Sequence, residues 1–287
     1  MSEKKGLNNA EIAALFDKYA RFKYKPLGVY FSDVLPSWIG KKRFGTNLFN
    51  RCLPRMAFFA AAKGKSSIVA EGYGCPGGLW WAGFSKYPPR GLTVFLSTGG
   101  RWDCFGGRGE HLKKNPARGA HVIKFPGPVK QPAGTKYIVF QRLKEIPDRQ
   151  IIEFVLFFVK PDDMAKMINL LHFNRDENLF IRSPGGSGCQ AILNFPLLMK
   201  QEPEPDAVMG FWDPVARRHL PKNLLSIAVR RWLVEYIARD IHETFLAYPP
   251  PFTLKFELPF LFKRLKRKLR ERKEKADGSR TAPDISG

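Results

Sequence analysis

The sequence predicts an α+β fold, a mixed sheet with helices packed on it, and three observations carry that reading. A strong strand signal runs from Ile151 to Val159 around the apolar stretch Phe154 to Val159. Leu233, Ile237, Ile241 and Phe245 form one apolar stripe at spacing four, the mark of a core-facing helix. Between such segments, short extended stretches alternate with helices and with Gly- and Pro-rich turns.

In chain order, Asn8 followed by Glu11 reads as a capping box, and Ile12, Leu15, Phe16 and Tyr19 extend an amphipathic helix to about Phe22. The first strand is expected at Leu27 to Ser32. Pro54 suits the first turn of a helix ending near Gly64, because proline lacks a donor where a helix start needs none. Ser67 to Glu71 reads as extended, Gly72 to Gly78 as a glycine turn, Leu79 to Phe84 as a short apolar segment and Leu92 to Ser97 as a strand. The second half follows the same order. A helix opened by Pro161 and Asp162 carries Met164, Met167, Ile168 and Leu171. Then come a strand near Leu179 to Arg182, the turn Pro184 to Gly188, a short helix through Ala191 and a strand at Ala207 to Phe211. Two similar halves, 26–98 and 150–212, are therefore expected, separated by a long loop or lid, 99–136, in which only His121 to Phe125 looks like a strand. The expected organisation is one domain over 1–252, a basic amphipathic segment over 253–275 and a disordered tail over 276–287.

With 287 residues, 44% of them apolar, the chain can bury a sizeable core, which excludes a disordered protein and a disulfide-stapled miniprotein. Lys plus Arg against Asp plus Glu gives 48 − 26 = +22, pointing to an anionic partner: nucleic acid, a phospholipid surface or an acidic ligand. The N-terminal residues lack a signal-peptide pattern and the four cysteines lie far apart, so a reducing, cytoplasmic setting is expected. The longest apolar runs fall well short of the roughly 20 residues that cross a bilayer.

Three cysteines carry the candidate site. Cys52 lies two residues before Pro54, Cys75 immediately before Pro76, and Cys189 in the first turn expected after Ser187. All three fall at expected helix N-termini, where unpaired N–H groups and the helix dipole favour an anion or a thiolate. Arg51 and Arg55 push Cys52 the same way. Gly77, Gly78, Gly186 and Gly188 beside them would permit close approach of a ligand to the backbone, suiting a thiolate-bound metal, an iron–sulfur cluster or an anionic cofactor. The competing reading is that cysteine is a small buried hydrophobe and glycine marks turns. No C-x-x-C pair is present, and Cys104 is the weakest ligand candidate. Gly72 to Gly77 formally satisfies a dinucleotide fingerprint, but the acidic residue expected about 20 positions on is missing. None of the five histidines has metal-ligand spacing.

Arg51-Cys52 before an Ala-rich helix ending in Gly64, Glu71 with three residues to Cys75 and then Gly77-Gly78, Gly188-Cys189 followed by Ala191, and Asp213 to Arg218 before Leu224 to Val229 together resemble the family catalogued as domain of unknown function 169. The resemblance covers about Pro26 to Leu246. It implies uncharacterised archaeal and bacterial proteins, brings no reaction, and adds weight to Cys52, Cys75 and Cys189 acting together. The basic middle loop and basic tail depart from the family.

From Lys263 to Lys275, nine Lys/Arg against two Glu contribute 9 − 2 = +7. Leu261, Leu265 and Leu269 continue an apolar line through them. Such a segment could lay its apolar side on a membrane while Lys263, Arg264, Lys266, Arg267, Lys268 and Arg270 meet anionic head groups at the inner face of the membrane. Phospholipid is favoured over nucleic acid because the aromatics precede the cations instead of interleaving with them. Three functions are therefore expected in order: a metal, iron–sulfur or anionic cofactor pocket at Cys52, Cys75 and Cys189; a thiol-dependent enzyme with Cys75 as nucleophile and Cys52 in support; and an interaction protein acting through the tail.

Overall fold

Seven strands form one sheet: β1 (Leu27–Ser32), β2 (Ser67–Ala70), β3 (Tyr137–Arg142), β4 (Phe154–Val159), β5 (Ile181–Arg182), β6 (Ala207–Gly210) and β7 (Leu225–Val229). Their spatial order is β2-β3-β1-β4-β7-β6-β5, and every neighbouring pair is antiparallel except β5 with β6. The computed structural model describes residues 6–37, 51–64, 66–97, 111–176, 181–198, 207–211, 213–217, 220–248 and 264–269. The fold is α+β with a mixed sheet, as the sequence predicts.

Strand β4 explains the three-layer build. All six of its residues are buried, because successive side chains of a strand point to opposite faces and both faces are covered. Phe154, Leu156 and Phe158 enter one core, and Val155, Phe157 and Val159 enter the other. The first core is closed by α2 (Leu53–Lys63), α3 (Pro76–Trp81), α4 (Leu92–Ser97), α5 (Pro116–Lys124) and the helical stretch 188–198, which ends in α7 (Phe195–Leu198). The second is closed by α1 (Asn9–Leu15), α6 (Pro161–His172) and α9 (Arg231–Asp240). Each buried Phe or Leu contributes about 1.5–3 kcal/mol, so the two faces of this one strand anchor both layers.

Local signals agree with these boundaries. The Asn8 side chain accepts from the Glu11 N–H at 2.8 Å while the Glu11 carboxylate accepts from the Asn8 N–H at 2.8 Å, the reciprocal cap expected of α1. Pro54 lies in the first turn of α2, and Gly64 ends it in the left-handed region at φ 66°. Leu233, Ile237 and Ile241 are buried along α9 and the 3-10 turn that follows it. The first half of α9 also holds the N-terminal segment: Glu235 accepts from the Leu7 N–H at 3.0 Å, and Arg231 donates to the Asn9 side chain at 3.1 Å and the Leu7 carbonyl at 3.3 Å.

Several expectations are corrected. Leu92 to Ser97 is helix α4 rather than a strand: Leu92, Phe95 and Leu96 are the buried apolar positions, at helical spacing, while Val94 stands exposed. His121 to Phe125 is likewise no strand, since Asn115 caps α5 by accepting from the Arg118 N–H and Pro116 occupies its first turn. Strand β3 was not expected at all. The middle region is no free lid where it is described. The Val129 N–H donates to the Trp81 carbonyl at 2.9 Å, the Gln131 side chain donates to the Ala82 carbonyl, and the Asn194 side chain donates to the Gly127 carbonyl, fastening residues 127–131. Residues 98–110 and 177–180 lie outside the described residues.

The chain divides into two units, Met1–Ala247 and Tyr248–Gly287. In the second, residues 264–269 form a helical segment exposed at every position.

Gly83 gives a sharp test of the first unit. Its φ is 83°, and an added Cβ would run into the Val129 carbonyl oxygen, a backbone atom that cannot swing aside. Gly83→Ala should cost about 3 kcal/mol and lower the thermal midpoint by roughly 6–12 °C in a calorimetric scan. An unchanged midpoint would show that this turn yields more easily than its geometry indicates.

Candidate functional site at converging helix starts

Four helix starts meet on the side of the sheet that holds the first core. After β2, Tyr73 bridges back to Ala70 through paired backbone hydrogen bonds of 2.9 and 3.3 Å, with Gly72 at φ 70° in the turn, and Cys75 then caps α3. Its Sγ accepts from the Gly78 N–H at 3.3 Å, as an N-cap side chain should. Cys52 occupies the matching position before α2, with extended φ and ψ and no side-chain cap bond. The Cys75 N–H donates to the Arg51 carbonyl at 3.2 Å, so the two helix starts are fastened to each other directly.

The third start is that of residues 188–198. Here Ser187 and Gln190 form a capping box: Gln190 Oε1 accepts from the Ser187 N–H at 2.9 Å and Ser187 Oγ accepts from the Gln190 N–H at 3.4 Å. The fourth is α8 (Pro214–Arg217), capped by Asp213. Asp213 is 4% exposed and bridges two starts, one oxygen accepting from the Ala216 N–H at 3.0 Å and the other from the Gly188 N–H at 2.7 Å. Removing that carboxylate would leave two buried donors unpaired, at about 1–3 kcal/mol each. Phe211, fully buried, turns the chain into this position with φ 88°, a costly conformation for a bulky residue. Arg217 steadies the same turn by donating to the carbonyls of Phe211, Leu224 and Lys222.

The glycines are explained by helix packing. A Cβ on Gly188 would lie 2.9 Å from Ala216 Cβ and 3.1 Å from Pro54 Cγ, so its bareness lets the starts of α2, α8 and the 188–198 helix touch. A Cβ on Gly78 would lie 3.1 Å from Cys75 Sγ, and one on Gly186 would meet Gln190 Oε1 at 2.7 Å. Gly77, Gly78, Gly186 and Gly188 are absent from the left-handed residues, and the Gly188 N–H is already taken by Asp213. Close packing thus accounts for Gly78, Gly186 and Gly188 without a ligand.

The cysteines part company. Cys52 and Cys75 are half-buried neighbours at paired helix starts, and none of the three described cysteines is in a disulfide. Cys189 sits in the first turn after Ser187, as expected, but packs into the first core beside Ile192 and Leu193. Among the described residues no group of three or more His, Cys, Asp and Glu side chains is placed to hold a metal ion. The expected metal set of Cys52, Cys75 and Cys189 gains no support from that arrangement, and Cys189 is at the same time a member of the first core. Cys104 lies outside the described residues. Two surface cavities, of about 830 Å³ beside Asn8 and Trp232 and about 340 Å³ beside Phe31 and Asn194, are lined by none of these cysteines.

Burial governs the thiols. It pushes the Cys52 thiol up to about 12, helped by the neighbouring Cys75 sulfur and the Asp213 carboxylate and opposed by the Arg55 N–H and guanidinium. Cys75 is also raised by burial; the N–H groups of Gly78, Leu53 and Gly77 oppose this without overcoming it. Arg51 stacks over the Tyr73 ring at 5.1 Å and Arg55 over Phe59 at 5.3 Å. Both thiols are therefore protonated at neutral pH, which weighs against Cys75 as a ready nucleophile.

Sequence reasoning overlooked Asp213 as a site residue, although Asp followed by Pro214 is a helix-start signal. It also overlooked Ser187 with Gln190 as a capping box.

Iodoacetamide alkylation of Cys52 should be slow at pH 7, with about one thiolate in 10⁵, and quicken about tenfold per pH unit toward pH 12. Rapid labelling at neutral pH, followed by peptide mass spectrometry, would contradict the neutral thiol.

Residues 16–239 match the family model of domain of unknown function 169, described as uncharacterised ArCR. No curated protein and no solved structure matches the chain.

Proposed function

The chain belongs to the domain of unknown function 169 family, and from that premise and the geometry of its helix starts we propose that it is a binding protein whose working centre is the Cys52–Cys75 pair. The observation that carries this reading is the direct fastening of the two cysteine-bearing starts through the Cys75 N–H and the Arg51 carbonyl. Two sulfurs without a third protein ligand do not suit a four-coordinate zinc site or an iron–sulfur cluster held by cysteines. They suit a soft monovalent cation in two-coordinate geometry, such as copper(I), or a thiophilic cofactor that brings its other ligands with it. Binding must displace protons from both raised thiols, so affinity climbs with pH.

Anaerobic competition against a chromophoric copper(I) chelator tests this. One equivalent should bind, more tightly at pH 8 than at pH 6. Cys52→Ser and Cys75→Ser should each weaken binding about 100-fold, and Cys189→Ser should leave it intact. Binding that is absent, or indifferent to Cys52 and Cys75, removes the reading.

A second reading concerns the tail. Leu265 is 57% and Leu269 55% exposed, at spacing four, on a helical segment that also carries Arg264, Lys266, Arg267 and Lys268. Exposed leucines among cations suit an anionic phospholipid surface, with on the order of 1 kcal/mol per cation. Lys263 and Arg270, expected to take part, lie outside the described residues. No described helix is long and apolar enough to cross a membrane. Flotation with phosphatidylserine vesicles should carry the full chain and leave behind a chain ending at Tyr248. Equal flotation of both would remove the tail as the contact, and tail-dependent binding to DNA alone would replace lipid with nucleic acid.

A further inference from the structure

The placement of the two half-buried cysteines also bears on oxidation. The Cys75 N–H bond to the Arg51 carbonyl sets residue 75 alongside residues 51 and 52. The Cys75 sulfur lies over the start of α2, close enough to feel the N–H of Leu53, the residue that follows Cys52. A Cβ on Gly78 would lie 3.1 Å from Cys75 Sγ and 3.5 Å from Leu53 Cβ, so this sulfur sits beside the residue next to Cys52. The two thiols are near enough for the charge of one to raise the other; a disulfide needs their Cα atoms within ~4.4–6.8 Å. Cys189 belongs to the first core, at 9% exposure.

We propose that Cys52 and Cys75 are a reversible oxidation site, closing to a disulfide that ties the start of α2 to the start of α3. The inference rests on the same sulfur pair as the binding centre and needs no metal. The oxidant is a low-molecular-weight disulfide such as glutathione disulfide. One protein thiolate attacks a sulfur of that disulfide and expels a small thiolate, which takes up the proton the protein thiol lost. The second protein thiolate then attacks the protein-side sulfur of the mixed disulfide and expels the other small thiolate, which is protonated in turn. One external S–S bond is broken, the Cys52–Cys75 bond is made, and the two electrons end on the two small thiols. Oxidation then withdraws both sulfurs from any ligand at once.

The test uses the metal-free full chain in glutathione buffers from fully reduced to fully oxidised, quenched by alkylation after unfolding. Alkylatable cysteines should fall from four to two. Trypsin should release residues 52–55 joined to residues 66–86, two hydrogen atoms lighter than the separate peptides and lost on treatment with dithiothreitol. The linked peptide should be missing from Cys52→Ser and Cys75→Ser and present in Cys189→Ser. Because the wild-type chain is read directly, a variant that fails to fold does not obscure the result. A link through Cys104 or Cys189, glutathione trapped on a single cysteine, or four cysteines still alkylatable in the oxidised buffer would each overturn the proposal. A link formed without copper(I) binding removes the metal reading alone, and copper(I) binding without a link removes this one alone.

Discussion

Double-sided burial of β4 is the constraint on which the rest depends. A six-residue strand with apolar side chains on both faces cannot sit at the edge of a sheet or under a single layer, because either arrangement leaves three large side chains in water. It must lie between β1 and β7 with helices above and below, which is where it is found. The edge-to-face chain Phe58, Phe158 and Phe211, with ring centres 5.7 and 5.8 Å apart, runs from this strand to α2 on one side and to the turn before Asp213 on the other. The core thus reaches directly to the two segments that carry Cys52 and Asp213.

Four helix starts crowded together would ordinarily be unfavourable, since each presents unpaired N–H groups and a partial positive charge to the others. The chain resolves this from within. Asp213 serves two starts with one carboxylate, Ser187 and Gln190 serve each other, and the Cys75 sulfur serves α3. Glycine at 78 and 188 removes the side chains that would hold the helices apart. The consequence for chemistry is that three of the four starts are capped from within while α2 has no side-chain cap, and burial raises both Cys52 and Cys75.

Much of this architecture was legible because its signals are local. Asn8 with Glu11, Pro54 with Gly64, and the apolar run of β4 each declare an element within a few residues. The misreadings share one cause: short apolar segments fit both periods, and only the burial of Leu92, Phe95 and Leu96 on one side shows that α4 is helical. Strand β3 hid behind a polar position, because Gln141 is buried with its amide paired at both ends, accepting from the Tyr30 hydroxyl at 2.7 Å and donating to the Glu145 carbonyl at 3.1 Å. At the candidate site the sequence placed Cys52 and Cys75 at helix starts, and the structure does the same. It could not tell that Cys189 belongs to the core, nor that Asp213 would join two starts 25 residues apart, because those facts depend on how layers stack.

The clamp between the Leu7–Asn9 segment and α9 has a consequence for biosynthesis. Glu235 and Arg231 meet partners more than 220 residues earlier in the chain, so α1 emerges from the ribosome long before the helix that secures it. With elongation at about 5–20 residues per second, the nascent amino-terminal segment waits roughly 10–45 seconds for the α9 side of this clamp. Until then α1 can pack only on what has already been made, Leu143, Ile146 and Phe157 among it, and the second layer closes when α9 follows.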